Sequence, residues 1–139
     1  MEGKEEAAQA EEILGRLLDL ARRMYANFHE VSASVGLTQP EGQALYRLSE
    51  PLSMRALANL LSCDASYVTV LVDGLEARDL VERTSDPDDR RVKRLVLTKQ
   101  GRKVRNELID TVHQTTPALA GLDPAQRRQL LRLLRALAR

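Results

Sequence analysis

The sequence predicts a mostly α-helical fold that contains one small β-hairpin. The chain has 139 residues, 43% of them hydrophobic and 29% charged, which is the balance of an ordinary globular protein. Only 3% are aromatic and none is Trp, so Leu, Val and Ala must form the core, and these residues favour helices. Apolar residues recur at three- and four-residue steps along most of the chain, but they alternate with polar ones near residues 92–97.

A long helix is predicted over residues 5–34, because seven apolar residues share one of its faces. They are Ile13, Leu14, Leu17, Leu18, Ala21, Met24 and Phe28. Gly36 is placed to end this helix as a C-cap. Thr38, Pro40 and Glu41 then have the pattern of a helix N-terminus, and Pro51 keeps the second helix short.

Two further short helices follow in close succession. Ser53 is the expected N-cap of the first, whose inward residues are Leu57, Leu60 and Leu61. Ser62 and Cys63 make the turn, and Asp64 caps a helix over residues 65–78. The core face of that helix is Val68, Leu71, Val72 and Leu75. Helices joined by such tight turns are typical of a helix-turn-helix.

The spacing of apolar residues along the sequence changes after residue 79. Residues 80–84 and 92–97 are predicted strands, and residues 85–89 between them are dense in turn formers. A hairpin directly after a helix-turn-helix is a wing. The sequence therefore predicts a winged helix-turn-helix over residues 36–98.

The C-terminal segment is again helical. Thr98 caps a helix predicted over residues 99–119, and the run from Asp123 to Gln126 begins the last helix. Apolar stripes lie on both, as on the first helix, and a lone chain would have to cover all three. We therefore expect a homodimer, with residues 1–35 and 99–139 as the dimerisation segments. Their net charges of −3 and +6 are opposite in sign.

Six blocks of the sequence together resemble the MarR family of transcription regulators. They are 37–39 (LTQ), 57–58 (LA), 68–76 (VTVLVDGLE), 80–83 (LVER), 86–91 (DPDDRR) and 97–101 (LTKQG), and they lie in about 65 of the 139 residues. The resemblance implies a dimeric repressor or activator that binds pseudo-palindromic double-stranded DNA, and not an enzyme. It also implies that a small phenolic or other lipophilic effector can bind between the dimerisation and DNA-binding regions.

The helix 65–78 is expected to lie in the major groove, which is wide enough for a helix. Its outward side chains near the N-terminus are Ala65, Ser66, Tyr67, Thr69 and Val70. Ser66 and Thr69 can bond phosphates or bases, Tyr67 can bond a phosphate, and Ala65 and Val70 can touch thymine methyl groups. The alternative is that Ser66 and Tyr67 are merely solvated.

Backbone contacts are expected from Ser53 and Arg55 at one helix start and from Gln39 at another. At the tip of the wing, a guanidinium of Arg90 or Arg91 suits a narrow minor groove. Asp88 and Asp89 are expected to hold these arginines by bidentate pairing. The resemblance implies that one arginine enters the groove and the other forms a structural ion pair, with the assignment open. A solvated charged turn is the alternative.

Two positions depart from the family pattern. Asp79 stands where many relatives carry Gly, at a position that often needs a left-handed backbone. Val70 stands where relatives often carry a basic residue. Because residues 36–98 also have a net charge of −2, a second hypothesis is a winged-helix protein–protein interaction module without specific DNA binding.

Other residue types suggest little further chemistry. Cys63, the single cysteine, is interpreted as a small buried hydrophobic residue rather than a redox sensor, and it fits a reducing compartment. His29 and His113 are far apart in sequence, so no metal or other cofactor is expected. The acidic, polar start of the chain does not resemble a secretory signal, and no apolar run is long enough to span a membrane, so a cytoplasmic location is expected.

Overall fold

The computed structural model describes residues 1–138, except the side chains of Glu2, Pro117 and Ala118. The helices are α1 (Glu2–Ser34), α2 (Gln39–Arg47), α3 (Met54–Leu60), α4 (Ala65–Ala77), α5 (Lys99–Thr115), α6 (Pro117–Ala120) and α7 (Pro124–Leu137). The strands are β1 (Leu52–Ser53), β2 (Val81–Ser85) and β3 (Lys93–Leu97). The predicted class, mostly helical with a small wing, is confirmed.

The chain divides into two compact units, Phe28–Thr111 and Met1–Asn27 with Val112–Arg139. In the part that the structure describes, no single helix is long and apolar enough to cross a membrane. Helices α3 and α4 together reach the required length and apolar composition, but they meet at a bend of 106°.

Local caps fix the end of α1 and the start of α2, both of which lie in the unit Phe28–Thr111. Gly36 ends α1 at a φ of +76°, and the Leu37 N–H donates to the Ser32 carbonyl at 2.9 Å. Thr38 and Glu41 form the predicted capping box, with Thr38 N–H donating to Glu41 Oε2 at 2.9 Å. The tight link between α1 and α2 therefore follows from three residues recognisable in the sequence.

The core of this unit is aliphatic, and its fully buried side chains come from α2, α3, α4, α5, β2 and β3. The largest are Leu45, Leu57, Val68, Val72, Leu75, Val81, Leu95 and Leu108. Leu60 was predicted to face inward, and this is wrong, because it is 45% exposed. Leu57 and Ala58 define the buried side of α3, and Leu60 lies roughly 100° around the helix from the middle of that side.

The sheet has three strands in the order β1-β3-β2, all antiparallel, where the sequence predicted only a hairpin. In register, Val81 pairs with Leu97 and Ser85 with Lys93, while Leu52 pairs with Leu95. A two-residue strand is too short to show a period of two, which is why β1 was missed. Because isolated hairpins are only marginally stable, β1 ties the wing to the rest of the unit.

The predicted helix 99–119 is divided. Helix α5 ends at Thr115, and the backbone of Thr116 is extended, with φ −82° and ψ 101°. A residue before proline is pushed out of the helical region, so Pro117 explains the break. Helix α7 begins with the predicted capping box of Asp123 and Gln126, and none of its residues in Pro124–Leu137 is buried.

Gly101 in α5 permits a close approach to the carbonyl of Leu80. A Cβ built at Gly101 would lie 1.8 Å from Leu80 O, so α5 or the start of the wing would have to shift. We predict that Gly101→Ala lowers the free energy of unfolding by about 1–3 kcal/mol, as overpacking does. Gly121→Ala is the matched control, because nothing lies within 4 Å of its added methyl group. Urea unfolding measures both, and equal stabilities would contradict the prediction.

Candidate nucleic-acid interface

Helix α4 is anchored by one face and exposes the other. Asp64 Oδ1 accepts from the Tyr67 N–H at 2.8 Å, and this cap begins the helix at the predicted residue. Val68, Val72 and Leu75 are buried on the inner face. The five predicted DNA-contacting residues of this helix are all exposed: Ala65, Ser66, Tyr67, Thr69 and Val70. Tyr67 is 48% and Val70 is 71% exposed, so large apolar surface is presented outward.

The hydroxyl group of Thr69 already forms a hydrogen bond within the helix. Thr69 Oγ1 donates to the Ala65 carbonyl at 2.9 Å, within the helix. In this rotamer its oxygen can accept a hydrogen bond from a base amino group, but its proton is not available to a phosphate. Thr69 therefore fits base contact better than phosphate contact.

The predicted phosphate-contacting residues lie at the starts of α2 and α3. Ser53 is half-buried and its Oγ accepts from the Ala56 N–H at 3.1 Å, so it caps α3 as predicted. This leaves the Ser53 proton free to donate. Arg55 is exposed two residues after that cap, and Gln39 is half-buried at the first position of α2. Their contacts with phosphate remain predictions.

The wing tip is built by aspartates that bind the backbone of their own loop. Asp86 Oδ1 accepts from the Asp88 N–H at 2.8 Å, and Asp89 Oδ1 accepts from the Arg91 N–H at 3.0 Å. Asp86 Oδ2 also forms an ion pair with Arg94 Nε. Asp is a common turn residue because its short carboxylate reaches the N–H two residues on.

The predicted pairing of Asp88 and Asp89 with Arg90 and Arg91 is therefore wrong. The ion pair at the tip of the wing is Arg94–Asp86, and no other ion pair involves residues 86–94 in the described chain. Arg90 and Arg91 are both exposed at the tip. Both guanidinium groups are thus open to a ligand, whereas the family pattern implied that one of them is used structurally.

Arg83 forms a clamp between the wing and helix α4 that sequence reasoning missed. Its Nη2 binds Asp73 Oδ1 at 2.7 Å and its Nη1 binds Glu76 Oε2 at 2.6 Å. The hydrogen bond to Asp73 and the charge of Glu76 raise the pKa of Arg83 despite partial burial. The spacing of the two acidic residues could have indicated this clamp, because Asp73 and Glu76 are three residues apart and lie on one helix face. The single positive charge of Arg83 offsets half of the negative charge of the two carboxylates.

Arg78, just after α4, also has a structural role. Its Nη2 donates to the Gly36 carbonyl at 2.8 Å, and its Nη1 binds Glu41 Oε2 at 3.1 Å. Asp79 follows at a φ of +56°, which confirms that the position where relatives carry Gly is left-handed. Thr98 Oγ1 donates to the Asp79 carbonyl at 2.5 Å and helps to hold this turn.

The remaining candidate residues form no further site. Cys63 is half-buried, and its N–H donates to the Ala58 carbonyl at 3.0 Å. His29 and His113 are exposed. No cluster of three or more His, Cys, Asp or Glu side chains suited to a metal occurs in the described part of the chain.

The Asp86 carboxylate makes the wing sensitive to acid. The Asp88 N–H and the Arg94 guanidinium lower the pKa of Asp86 below its ordinary value of about 3.9. Because the folded pKa is the lower one, this group stabilises the wing fully at neutral pH, and the effect is lost as pH falls through the lowered pKa. We predict that the amide signal at position 88 in NMR spectra titrates with a midpoint below about 3.9.

Two variants test this assignment. Asp86→Asn should abolish the acid-dependent step, whereas Asp88→Asn should keep it, because the Asp88 N–H and not its carboxylate makes the bond. A midpoint at or above the ordinary Asp value in the unmodified chain would contradict the prediction.

Comparison with known proteins places this geometry in a family. The sequence profile of the MarR family matches residues 37–93. The HTH-type transcriptional repressor NicR of Pseudomonas putida is 30% identical over 128 residues, which are 89% of this chain and 81% of NicR. The uncharacterised HTH-type transcriptional regulator YsmB of Bacillus subtilis is 32% identical over 83 residues, and the match spans 58% of this chain and 56% of YsmB.

A solved structure agrees with these matches. The structure of BpsR of Bordetella bronchiseptica, whose DNA binding is regulated by 6-hydroxynicotinic acid, is similar with a TM-score of 0.65 and 29% identity. The similarity covers 89% of this chain and 91% of BpsR. Both curated relatives are named as HTH-type transcriptional regulators or repressors. The chain belongs to the MarR family of winged helix-turn-helix transcriptional regulators.

Proposed function

We propose that two copies of this chain form a homodimer that represses transcription by binding a pseudo-palindromic DNA site. The observation that carries this proposal is the exposed outer face of α4, held from behind by buried Val68, Val72 and Leu75. A helix fixed in this way can enter a major groove without losing its own packing. The five exposed residues of α4 are suited to read base edges and thymine methyl groups.

The affinity for DNA is proposed to come largely from the wing. Helix α4 contains no Lys or Arg, and Arg78 beyond its end is held by Glu41 and Gly36. Arg90 and Arg91 are the exposed cations of the hairpin tip, and a narrow minor groove concentrates negative potential for them. The Arg83 clamp keeps the hairpin at a fixed distance from α4, so groove and wing contacts can form together.

Dimerisation is inferred from apolar side chains that stay exposed in the described part of the chain. In α1 the exposed ones are Ile13, Leu14, Leu17, Leu18 and Met24, and in α7 they are Leu131, Leu133, Leu134 and Leu137. Apolar side chains that recur in the exposed part of a helix are typical of an interaction surface. A second copy would bring matching stripes, and its α4 would supply the second half of a two-fold DNA site.

A small-molecule effector is the last part of the proposal. Its support is the similarity to BpsR, whose DNA binding responds to 6-hydroxynicotinic acid, and to a relative named a repressor. The competing hypothesis, a protein–protein module without specific DNA binding, is favoured by the net charge of −2 over residues 36–98 and by Val70. DNA binding at low salt separates the two hypotheses.

The wing arginines give the first prediction from this function. Binding to a short random-sequence duplex should weaken steeply with salt, because cations released from phosphates drive it. Arg90→Ala and Arg91→Ala should each reduce the slope of log affinity against log salt concentration if that residue contacts a phosphate. The expected reduction is about one unit per wing. Arg22→Ala, an exposed arginine of α1, should not change the slope. Absence of DNA binding at low salt would favour the protein–protein module.

The apolar stripes give the second prediction. Leu18 is 62% and Leu133 is 53% exposed, so a charge at either position is harmless in a lone chain and costly inside an interface. Leu18→Glu and Leu133→Glu should each raise the dimer dissociation constant by at least about 100-fold, or about 2.7 kcal/mol. Arg23→Glu, outside the stripe of α1, is the control. Sedimentation equilibrium measures all three, and an unmodified chain that is monomeric at micromolar concentration would rule out the homodimer.

A further inference from the structure

Val70 lies near the centre of the exposed face of α4. The buried face of this helix consists of Val68, Val72 and Leu75. Because successive helix residues are about 100° apart, Val70 lies about 165° around the helix from the middle of that buried face. It is 71% exposed, the highest value among the large hydrophobic residues of the unit Phe28–Thr111. Valine is also a weaker helix former than alanine, so neither packing nor helix propensity explains a valine at this position.

Helix α4 offers no cation that could recognise guanine. Arg and Lys are the residues that bind the O6 and N7 atoms of guanine in the major groove, and α4 contains neither. The two arginines that follow it in sequence are already engaged. Arg78 donates to the Gly36 carbonyl at 2.8 Å, and Arg83 is paired with Asp73 and Glu76. What the centre of this face presents to a base edge is therefore apolar.

Tyr67 extends the apolar surface, and the exposed cations of the same unit indicate what covers it. Tyr67 is 48% exposed and precedes Val70 by three residues, so the two side chains are neighbours on the helix surface. Arg55, Arg90 and Arg91 are exposed and match the charge of phosphates. The occupant that fits both features is a DNA duplex, because its major groove carries one apolar group, the 5-methyl group of thymine.

We propose that Val70 selects a base pair by the 5-methyl group of its pyrimidine. This inference rests on the proposed function, because it requires α4 to lie in the major groove. Cytosine lacks the methyl group, but 5-methylcytosine carries it at the same ring position as thymine. The surface at Val70 therefore accepts 5-methylcytosine where it accepts thymine, and it discriminates against uracil and unmodified cytosine. Methylation of a cytosine then creates a contact that the unmodified base does not provide.

Selection of bound duplexes from three random pools tests the proposal with the unmodified chain. The first pool contains the four ordinary bases, and the second contains uracil in place of thymine. The third contains uracil and also 5-methylcytosine in place of cytosine. The first pool should enrich thymine at one position of each half-site, the second should lose this preference, and the third should enrich 5-methylcytosine there. The enriched base should thus follow the methyl group and not the hydrogen-bonding groups of the base.

Direct binding measurements give the size of the effect. A duplex enriched from the first pool is synthesised again with uracil at the selected position of both half-sites. Its affinity should fall by about fourfold per half-site, which is the factor that one buried CH₂ group contributes.

Two matched substitutions assign the contact to one side chain. Val70→Ala should remove the preference for thymine over uracil, and thermal unfolding should show no loss of stability because alanine is the better helix former. Val92→Ala makes the same change at a 40% exposed valine of the hairpin, outside α4, and should keep the preference.

The outcomes separate this inference from the function on which it rests. Enrichment of uracil at the same position in the second pool would show that the methyl group is not read. An unchanged preference in Val70→Ala would show that another residue reads it. Either result overturns the inference and leaves the proposed function in place, whereas no enrichment from any pool would overturn specific DNA binding and this inference with it.

Discussion

The structure depends on the burial of one face of α4. Val68, Val72 and Leu75 pack into the same core as Leu45 and Leu57, so rotating the helix by even half a turn would expose that face. Each such side chain is worth about 1.5–3 kcal/mol when buried, which makes the orientation of α4 a matter of folding stability. The residues at its outer surface are exposed and take no part in this packing.

A second constraint is electrostatic. The winged module is acidic overall, yet four of its ten acidic residues form ion pairs within the unit itself. Asp73 and Glu76 bind Arg83, Glu41 binds Arg78, and Asp86 binds Arg94. The arginines used in these pairs position the hairpin and the helix ends, and two other arginines are left at the wing tip. The net charge of the module is therefore a poor guide to the potential that a duplex would meet there.

Much of this architecture was predictable from local rules. The caps at Thr38, Ser53 and Asp64, the end of α1 at Gly36, and the hairpin follow from residue types at fixed spacings. Strand β1 did not, because two residues carry no periodicity. The break at Pro117 was overlooked although the residue before proline avoids helical angles. The wing ion pair was assigned to the wrong residues, because Asp86 and Arg94 are brought together by strand pairing and not by proximity in sequence.

The central claim is that two copies present two identical helices and hairpins to one face of a duplex. Selection of bound duplexes from a random pool tests it most directly, because the symmetry of the protein must appear in the DNA. The account predicts enrichment of an inverted repeat with half-sites centred about 10 base pairs, one helical turn, apart. Enrichment of a single unrepeated half-site, or of no sequence at all, would contradict it.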